Sequence, residues 1–281
     1  MNASGKWTKE LIIRETKNLA FDLKRKPTKR DNSNLYFLSR KFFKSWNNLL
    51  KEAGFDTKIN QNPRIPTKLD EDIAYFLGLL ITDGHIVFDK IHKKYKILIF
   101  NSYEDEKRII VDLIKKLFKY NPLIRTKKTE FSKIPNHEIY ITSKDLAESL
   151  INKFEIPSGA KSRIVKIPPY LLNSGKEEIA SFIRGVIDGD GSISINQVKI
   201  ASGSERFLEG MKELLNRLYI QSGKVCKEKN RNTFVLYISS IPNIWRLYSL
   251  LYKNSHFFYL RKKKSWEKIF KSTFTHTKIP A

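Results

Sequence analysis

The chain has 281 residues, 41% hydrophobic and 12% aromatic, which is enough for packed cores in one large domain or in two to three small ones. Its 53 Lys and Arg against 29 Asp and Glu leave a net charge of +24, and an excess of this size favours a polyanionic partner, above all nucleic acid. The longest apolar run, residues 73–81, is too short to span a membrane, so we expect no membrane association. The single cysteine, Cys226, excludes an intramolecular disulfide, so we expect a reducing compartment, the cytoplasm or an organellar matrix.

The first sixty residues predict a small helical module. Apolar residues recur at helical spacing over residues 8 to about 24 and 34 to about 52, with a proline-containing turn between them and Gly54 at the end of the second helix. Basic residues occupy the remaining faces, so we predict a DNA-binding module over residues 1–60. Residues 61–67 contain two prolines and few apolar side chains, which indicates a linker.

From residue 68 onward one order of elements occurs twice: helix, two strands, helix, two strands, helix. The first half covers residues 68–170, and the second covers residues 171–281 with a basic C-terminal segment. Such a repeat predicts an α+β protein built from two pseudo-symmetric αββαββα halves.

Each half opens with an apolar helix that ends in Asp-Gly, within FLGLLITDG (residues 76–84) and IRGVIDGDG (residues 183–191). Small residues lie four apart in each helix, so they share one face on which a second helix can approach closely; they are Gly78 and Thr82, and Gly185 and Gly189. Asp83 and Asp190 follow at the helix C-termini, where the macrodipole disfavours a carboxylate. If the helices pair, the two carboxylates become neighbours, and a divalent cation would relieve their repulsion.

The two segments resemble the motifs of a single-chain LAGLIDADG homing endonuclease, over about residues 68–265. The resemblance implies that the motif helices form the central interface and that antiparallel sheets form a basic saddle over the DNA major groove. It also implies that Asp83 and Asp190, with the adjoining Gly84 and Gly191, bind divalent metal and cut both strands. The N-terminal module is similar to a helical repeat often attached to homing endonucleases.

The sequence departs from the family pattern at the ends of the second strands. Family members often carry a lysine or glutamine there, near the scissile phosphates, whereas our alignment places Asn101 and Ser202 at these ends, followed by Ser102 and Gly203. The alignment thus predicts strand ends without the lysine of the family pattern. Asp188, inside the second motif, is interpreted as a helix-surface or capping carboxylate in preference to a third metal ligand.

Oxygen ligands are available while the five histidines show no metal-ligand spacing, so we expect Mg²⁺ or Mn²⁺ as cofactor. His85, directly after the first motif, either faces DNA or is a strand-surface side chain without a role; the sequence leaves both interpretations open.

Strand alternation predicts which side chains face DNA. If Ile193 and Ile195 face the core, the polar residues that alternate with them lie on the opposite face of the sheet. In the next strand Val198 and Ile200 are predicted to be buried, so Lys199 between them is exposed. Lys227 and Lys229 share a face with Val225, which weakens their assignment. The predicted DNA-binding residues are His85, Arg125, Lys127, Lys161, Ser192, Ser194, Asn196, Lys199, Lys227, Lys229, Arg261, Lys262 and Lys263.

These features predict a free-standing, monomeric endonuclease that makes a double-strand break in DNA at a long asymmetric site, in the manner of intron-encoded enzymes. Met1 and the final KIPA do not match the termini expected of an intein. The alternative is a non-cleaving nucleic-acid binder on a degenerate nuclease fold, either a maturase that binds intron RNA or a regulator.

Overall fold

The computed structural model describes residues 7–55, 62–127, 134–194 and 196–276, with side chains up to Ile269. Residue 61 of the predicted linker and Ile195 lie outside the described residues. The chain divides into two compact units, Met1–Gln61 and Asn62–Ala281. No helix among the described residues has the length and apolar character needed to cross a membrane.

The N-terminal unit contains three helices among its described residues: α1 (Lys9–Leu23), α2 (Ser33–Phe43) and α3 (Trp46–Glu52). The side chains of Thr8, Asn32 and Ser45 cap them, each accepting a hydrogen bond from a backbone N–H three residues later. The single helix predicted over residues 34–52 is therefore wrong. Lys44 takes a left-handed conformation with φ of 64° and Ser45 starts a new helix, so the chain turns between α2 and α3.

The larger unit repeats one order of elements. The first half contains α4 (Glu71–Thr82), β1 (Gly84–Asp89), β2 (Lys94–Asn101), α5 (Glu104–Phe118), β3 (Leu123–Lys127), β4 (Asn136–Thr142) and α6 (Lys144–Asn152). After the short α7 (Pro169–Leu172), the second half contains α8 (Lys176–Asp190), β5 (Ser192–Ser194), β6 (Gln197–Ser202), α9 (Glu205–Arg217), β7 (Cys226–Lys227), β8 (Phe234–Ile238) and α10 (Ile241–Tyr252). A last helix, α11 (Leu260–His276), follows.

The two sheets have the same topology. Their strand orders are β1-β2-β4-β3 and β5-β6-β8-β7, and every neighbouring pair is antiparallel. One face of each sheet is buried, as Ile97 and Ile139 show in the first sheet and Ile200 and Leu236 in the second. The predicted α+β fold with two pseudo-symmetric halves is confirmed.

The most extensive packing between described elements joins α4 to α8. Gly78 and Gly185 face each other at this contact. A Cβ atom on Gly78 would lie 2.5 Å from the carbonyl oxygen of Phe182, and one on Gly185 would lie 2.3 Å from that of Tyr75. Because both distances are far below van der Waals contact, only glycine allows the two backbones to come this close.

Residues 62–67 pack against the larger unit. The backbone N–H of Arg64 donates to the carbonyl oxygen of Phe118 at 2.7 Å, and the side chain of Ile65 packs against the core of this unit. The described part of the predicted linker is therefore the first segment of the larger unit.

Helix α11 was not predicted from the sequence, because the run RKKK hides its apolar side. Tyr259, just before the helix, and Trp266 and Ile269 within it are buried against the core. Their spacing is helical, so the basic C-terminal segment forms an amphipathic helix with one buried face.

The close approach of the helices at Gly78 and Gly185 leads to a prediction about stability. Replacing Gly185 with Ala should lower the free energy of unfolding by about 3 kcal/mol or more, because the new methyl group meets backbone atoms that cannot rotate away. Gly223→Ala is the matched control, since its Cβ atom would lie at an ordinary 3.6 Å from the nearest atom. Chemical denaturation of both variants tests this, and equal stabilities would contradict the close approach of the helices.

Candidate active site

The packing of α4 on α8 brings two carboxylates together at one end of the helix pair. Asp83 terminates α4, where its N–H donates to the carbonyl oxygen of Leu79, and Asp190 is the last residue of α8. Gly189 lies between them: a Cβ atom there would be 3.1 Å from Oδ2 of Asp83 and 2.1 Å from Oγ1 of Thr82. The small residues therefore determine the proximity of the two aspartates.

Gly84 and Gly191 have a conformational reason to be glycine. A Cβ atom on Gly84 would lie 2.5 Å from the carbonyl oxygen of Leu80, and one on Gly191 would lie 2.6 Å from that of Ile187. At both positions the backbone lies close to the last turn of the motif helix as it enters the first strand of its half. The two glycines thus hold the aspartates at the junction.

Asp83 is half-buried, and Asp190 keeps surface exposure although neighbouring atoms crowd its carboxylate. Burial raises the pKa of Asp83 to about 7, and the neighbouring charge of Asp190 acts in the same direction. Burial also raises the pKa of Asp190. Both carboxylates are ionised at neutral pH only at a cost in free energy, so the site favours positive charge nearby.

Two lysines that do not lie at the strand ends supply such charge. Lys161 donates from Nζ to the carbonyl oxygen of Leu80, near the end of α4. Lys262 donates to the carbonyl oxygens of Gly189, at 3.4 Å, and of Gly191. Burial lowers the pKa of Lys161 to about 8, whereas the charges of Asp190 and Asp83 oppose that shift; burial also lowers the pKa of Lys262.

The lysines were missed at the site because they are not on the strands. Lys161 lies in the segment after α6, and Lys262 lies in the first turn of α11. The sequence pattern assigns both to DNA phosphate contacts. It does contain a signal for the site, since each lysine belongs to a basic run at a similar distance after one of the two motifs.

Asp188 joins the second motif helix to the segment before α11. Its carboxylate is completely buried and accepts hydrogen bonds from Tyr75 Oη at 2.8 Å, from Tyr252 Oη at 3.0 Å and from the backbone N–H of Tyr259 at 2.8 Å. Burial raises its pKa to about 6 although these hydrogen bonds act in the opposite direction. Its interpretation as a helix-surface or capping carboxylate is therefore wrong.

The strand ends differ between the halves. Asn101 donates from Nδ2 to Oε2 of buried Glu106 at 2.8 Å, and Arg261 donates from Nε to Oε1 of the same carboxylate at 3.0 Å. The guanidinium of Arg261 also lies 4.5 Å from the ring centroid of Tyr103. In the other half, Oγ of Ser202 accepts from the N–H of Ser204. The predicted phosphate contact Arg261 thus already has a protein partner in the free chain.

The predicted DNA-reading residues lie mostly on the outer faces of the sheets. In the first sheet, strand register and alternation place His85, Arg125 and Lys127 on the face opposite the core, and Lys127 forms an ion pair with Glu138. His85 is half-buried, and burial together with the charge of Lys161 lowers its pKa.

The second sheet places its predicted residues on the corresponding face. Ser192 and Ser194 are exposed, Asn196 is exposed in the turn that follows, and Lys199 forms an ion pair with Glu228. Lys263, in α11, lies 4.6 Å from the ring centroid of Phe258.

Lys227 does not lie on that outer face. It is in register with Phe234 and alternates like Val225, and both of these apolar side chains pack against the core. Lys229 lies in the turn beyond β7. The prediction that the two lysines share a strand face is wrong, because the short strand β7 ends at Lys227. Both lysines are exposed, and their contact with DNA stays a prediction.

The donor atoms at the site suit a hard divalent cation. Asp83 and Asp190 offer carboxylate oxygens, the ligands that Mg²⁺ and Mn²⁺ accept. No group of three His, Cys, Asp or Glu side chains gathers as a ligand set within the described part of the chain. Water and DNA phosphate would therefore have to complete the coordination of a cation held by these two carboxylates.

The partial burial of Asp83 leads to a prediction about how stability depends on pH. Because its folded pKa is raised, the stability contributed by this group falls as the pH rises from about 4 through 7. At pH 8 the free energy of unfolding of Asp83→Asn should therefore be about 1 to 4 kcal/mol higher than that of the unmodified protein, and below pH 4 this difference should disappear. Chemical denaturation at a series of pH values, without divalent cations, measures the difference. Asp112→Asn, which changes an exposed carboxylate of α5, is the control, and a similar gain there would contradict the prediction.

Three curated relatives match only in part. They are the DNA-directed RNA polymerase subunit Rpo1C of Methanocaldococcus jannaschii, 29% identical over 61% of this chain, a probable translation initiation factor IF-2 of the same organism, 28% identical over 94%, and a subunit of the A-type ATP synthase of Pyrococcus abyssi, 32% identical over 68%. The chain spans only 18%, 24% and 18% of their respective lengths. The similarity therefore concerns a segment of each relative.

Residues 177–252 match the family described as the LAGLIDADG-like domain. Among solved structures, the homing endonuclease I-DmoI in complex with DNA and Mn is 21% identical, with a TM-score of 0.52 over 67% of this chain and 99% of that one. Its complex with DNA and Ca gives a TM-score of 0.54 at 22% identity, over 70% and 97% of the two chains. Full-length DUF199/WhiA from Thermatoga maritima gives 0.51 at 18% identity, over 77% and 64%. The chain thus has the LAGLIDADG fold.

Proposed function

We propose that this protein is a site-specific DNA endonuclease that uses a divalent cation to cut both strands. The observation that carries the proposal is the pairing of Asp83 and Asp190, at the ends of two helices whose macrodipoles disfavour negative charge and in surroundings that raise the pKa of both groups. Folding stability does not favour this arrangement, and perturbed carboxylates in such a position are typical of catalytic sites.

Phosphodiester hydrolysis requires an activated water and positive charge around the phosphate. A bound divalent cation supplies the Lewis acidity for both purposes. Asp83 and Asp190 would hold it, because their oxygens are at the same end of the helix pair. The ammonium groups of Lys161 and Lys262 add positive charge beside them and can donate hydrogen bonds to phosphate oxygens in place of their present carbonyl acceptors.

Double-stranded DNA is the substrate that fits the rest of the larger unit. The net charge of +24 is appropriate for a polyanion, and the outer faces of the two sheets carry polar and basic side chains. These faces differ in sequence, so each would read a different half-site, and the target would be long and asymmetric. Because one chain contains both halves, a monomer would suffice.

A non-cleaving nucleic-acid binder is the second candidate. It is favoured by the strand ends, where Asn101 and Ser202 replace the lysine or glutamine that the resemblance leads one to expect and where Asn101 is bound to Glu106. Such a protein would bind DNA or intron RNA through the same surfaces without hydrolysis.

Changing either aspartate separates the two candidates. Asp83→Asn and Asp190→Asn should each abolish double-strand cleavage in Mg²⁺ and leave DNA affinity unchanged or tighter, because a repulsive charge beside the phosphates is removed. The measurement is a cleavage assay on the duplex that the unmodified protein selects from a random-sequence pool, with a binding titration alongside. Full cleavage by either variant, or specific binding without any cleavage by the unmodified protein, would refute the endonuclease proposal.

Lys161 and Lys262 lead to a further prediction. Lys161→Met and Lys262→Met should each slow single-turnover cleavage by about a hundredfold or more while changing DNA affinity little, because one charge beside the reacting phosphate is removed. Lys264→Met, two residues later and exposed on α11, is the control and should cleave at the unmodified rate. Equal rates in all three variants would show that the lysines only stabilise the helix ends.

A further inference from the structure

Helix α2 of the N-terminal unit has one exposed face that no described element of this unit covers. This face consists of six exposed residues: Ser33, Asn34, Phe37, Arg40, Lys41 and, directly after the helix, Lys44. At about 100° per residue they occupy an arc of about 120°, with Phe37 near its centre. The opposite side carries Leu35, Leu38 and Phe43, which are buried in the core of this unit.

The composition of this face is that of a surface for an anionic duplex. Helix α2 contains no acidic residue, whereas three cations and an amide share the exposed face with Phe37, which is 65% exposed. Acidic residues of the unit lie elsewhere: Glu10 is on α1, and Asp31 is held by Arg25 at 2.8 Å. Of the three described helices of the unit, α2 alone contains basic residues and no acidic one, so its exposed face carries only positive charge.

We propose that this face of α2 binds the major groove of double-stranded DNA, as a reading surface additional to the two sheets. An α-helix fits the major groove, where an amide such as that of Asn34 can pair with adenine and an apolar ring such as that of Phe37 can contact a thymine methyl group. Arg40, Lys41 and Lys44 flank these two residues and contact phosphates. The inference rests on the proposed function in one respect, that DNA is the ligand.

Alternative ligands fit this face less well. The major groove of an RNA duplex is too deep and narrow for side chains to read. A protein partner would have to be acidic, and changes in α2 would then leave the DNA preference of the chain unchanged. Selection of DNA duplexes by α2 variants distinguishes these cases.

The test compares full-length Phe37→Ser with Phe21→Ser. Phe21 is the matched control, because it is 85% exposed in the same unit but lies on α1 beside Asp22. Duplexes are selected from a random-sequence pool, and affinity is then measured on the selected sequence. Phe37→Ser should weaken binding by about tenfold and lose sequence preference in one contiguous block of base pairs, with the rest of the selected motif retained. Phe21→Ser should match the unmodified protein in both respects.

A second variant tests the phosphate contacts. Arg40→Ser combined with Lys41→Ser should weaken binding to all sequences and reduce the slope of log affinity against log salt by about 2, because each substitution removes one cation from a DNA phosphate. If Phe37→Ser selects the unmodified motif at unmodified affinity, or if Phe21→Ser is weakened as much, the α2 surface is refuted while the endonuclease proposal stands. If neither the variants nor the unmodified protein select any duplex, both proposals fail.

Discussion

The close approach of two helix backbones at Gly78 and Gly185 is the constraint on which the rest of the larger unit depends. A side chain at either position would meet carbonyl oxygens of the partner helix at less than 3 Å. Because the helices touch there, their C-terminal ends converge, and Asp83 and Asp190 become neighbours. The same packing fixes how the two sheets are placed around the pseudo-twofold axis, since each sheet begins directly after a motif helix.

The site that results is costly in free energy, and the surrounding structure compensates for it. Carboxylates at helix C-termini meet an unfavourable dipole, and their partial desolvation adds to the cost. Lys161 and Lys262 return positive charge to this region, and the buried Asp188 holds the chain before α11 so that Lys262 lies beside the motif helix. Arg184 strengthens this attachment by donating to the carbonyl oxygens of Leu251 and Phe257.

The scaffold is symmetric while its functional groups are not. Both halves have the same strand order, yet Thr82 faces Gly189 across the helix pair. Asn101 at the strand end of the first half donates to Glu106, which also accepts from Arg261, whereas Ser202 at the strand end of the second half accepts from the N–H of Ser204. Duplication explains the common fold, and independent substitution in each half explains the differences. The proposed asymmetric target matches this difference between the halves.

The sequence by itself determined the repeated order of elements, the small-residue helix faces and the α+β class, because hydrophobic periodicity and glycine spacing are local signals. It failed where long-range contacts decide. Asp188 reads as a surface carboxylate until Tyr75, Tyr252 and Tyr259 are seen around it. Lys227 and Lys229 read as neighbours on one strand face until β7 is seen to end at Lys227. Only the tertiary structure decided that Lys161 and Lys262 lie beside the aspartates, because the segments that carry them are distant in sequence and return to the motif helices solely through packing.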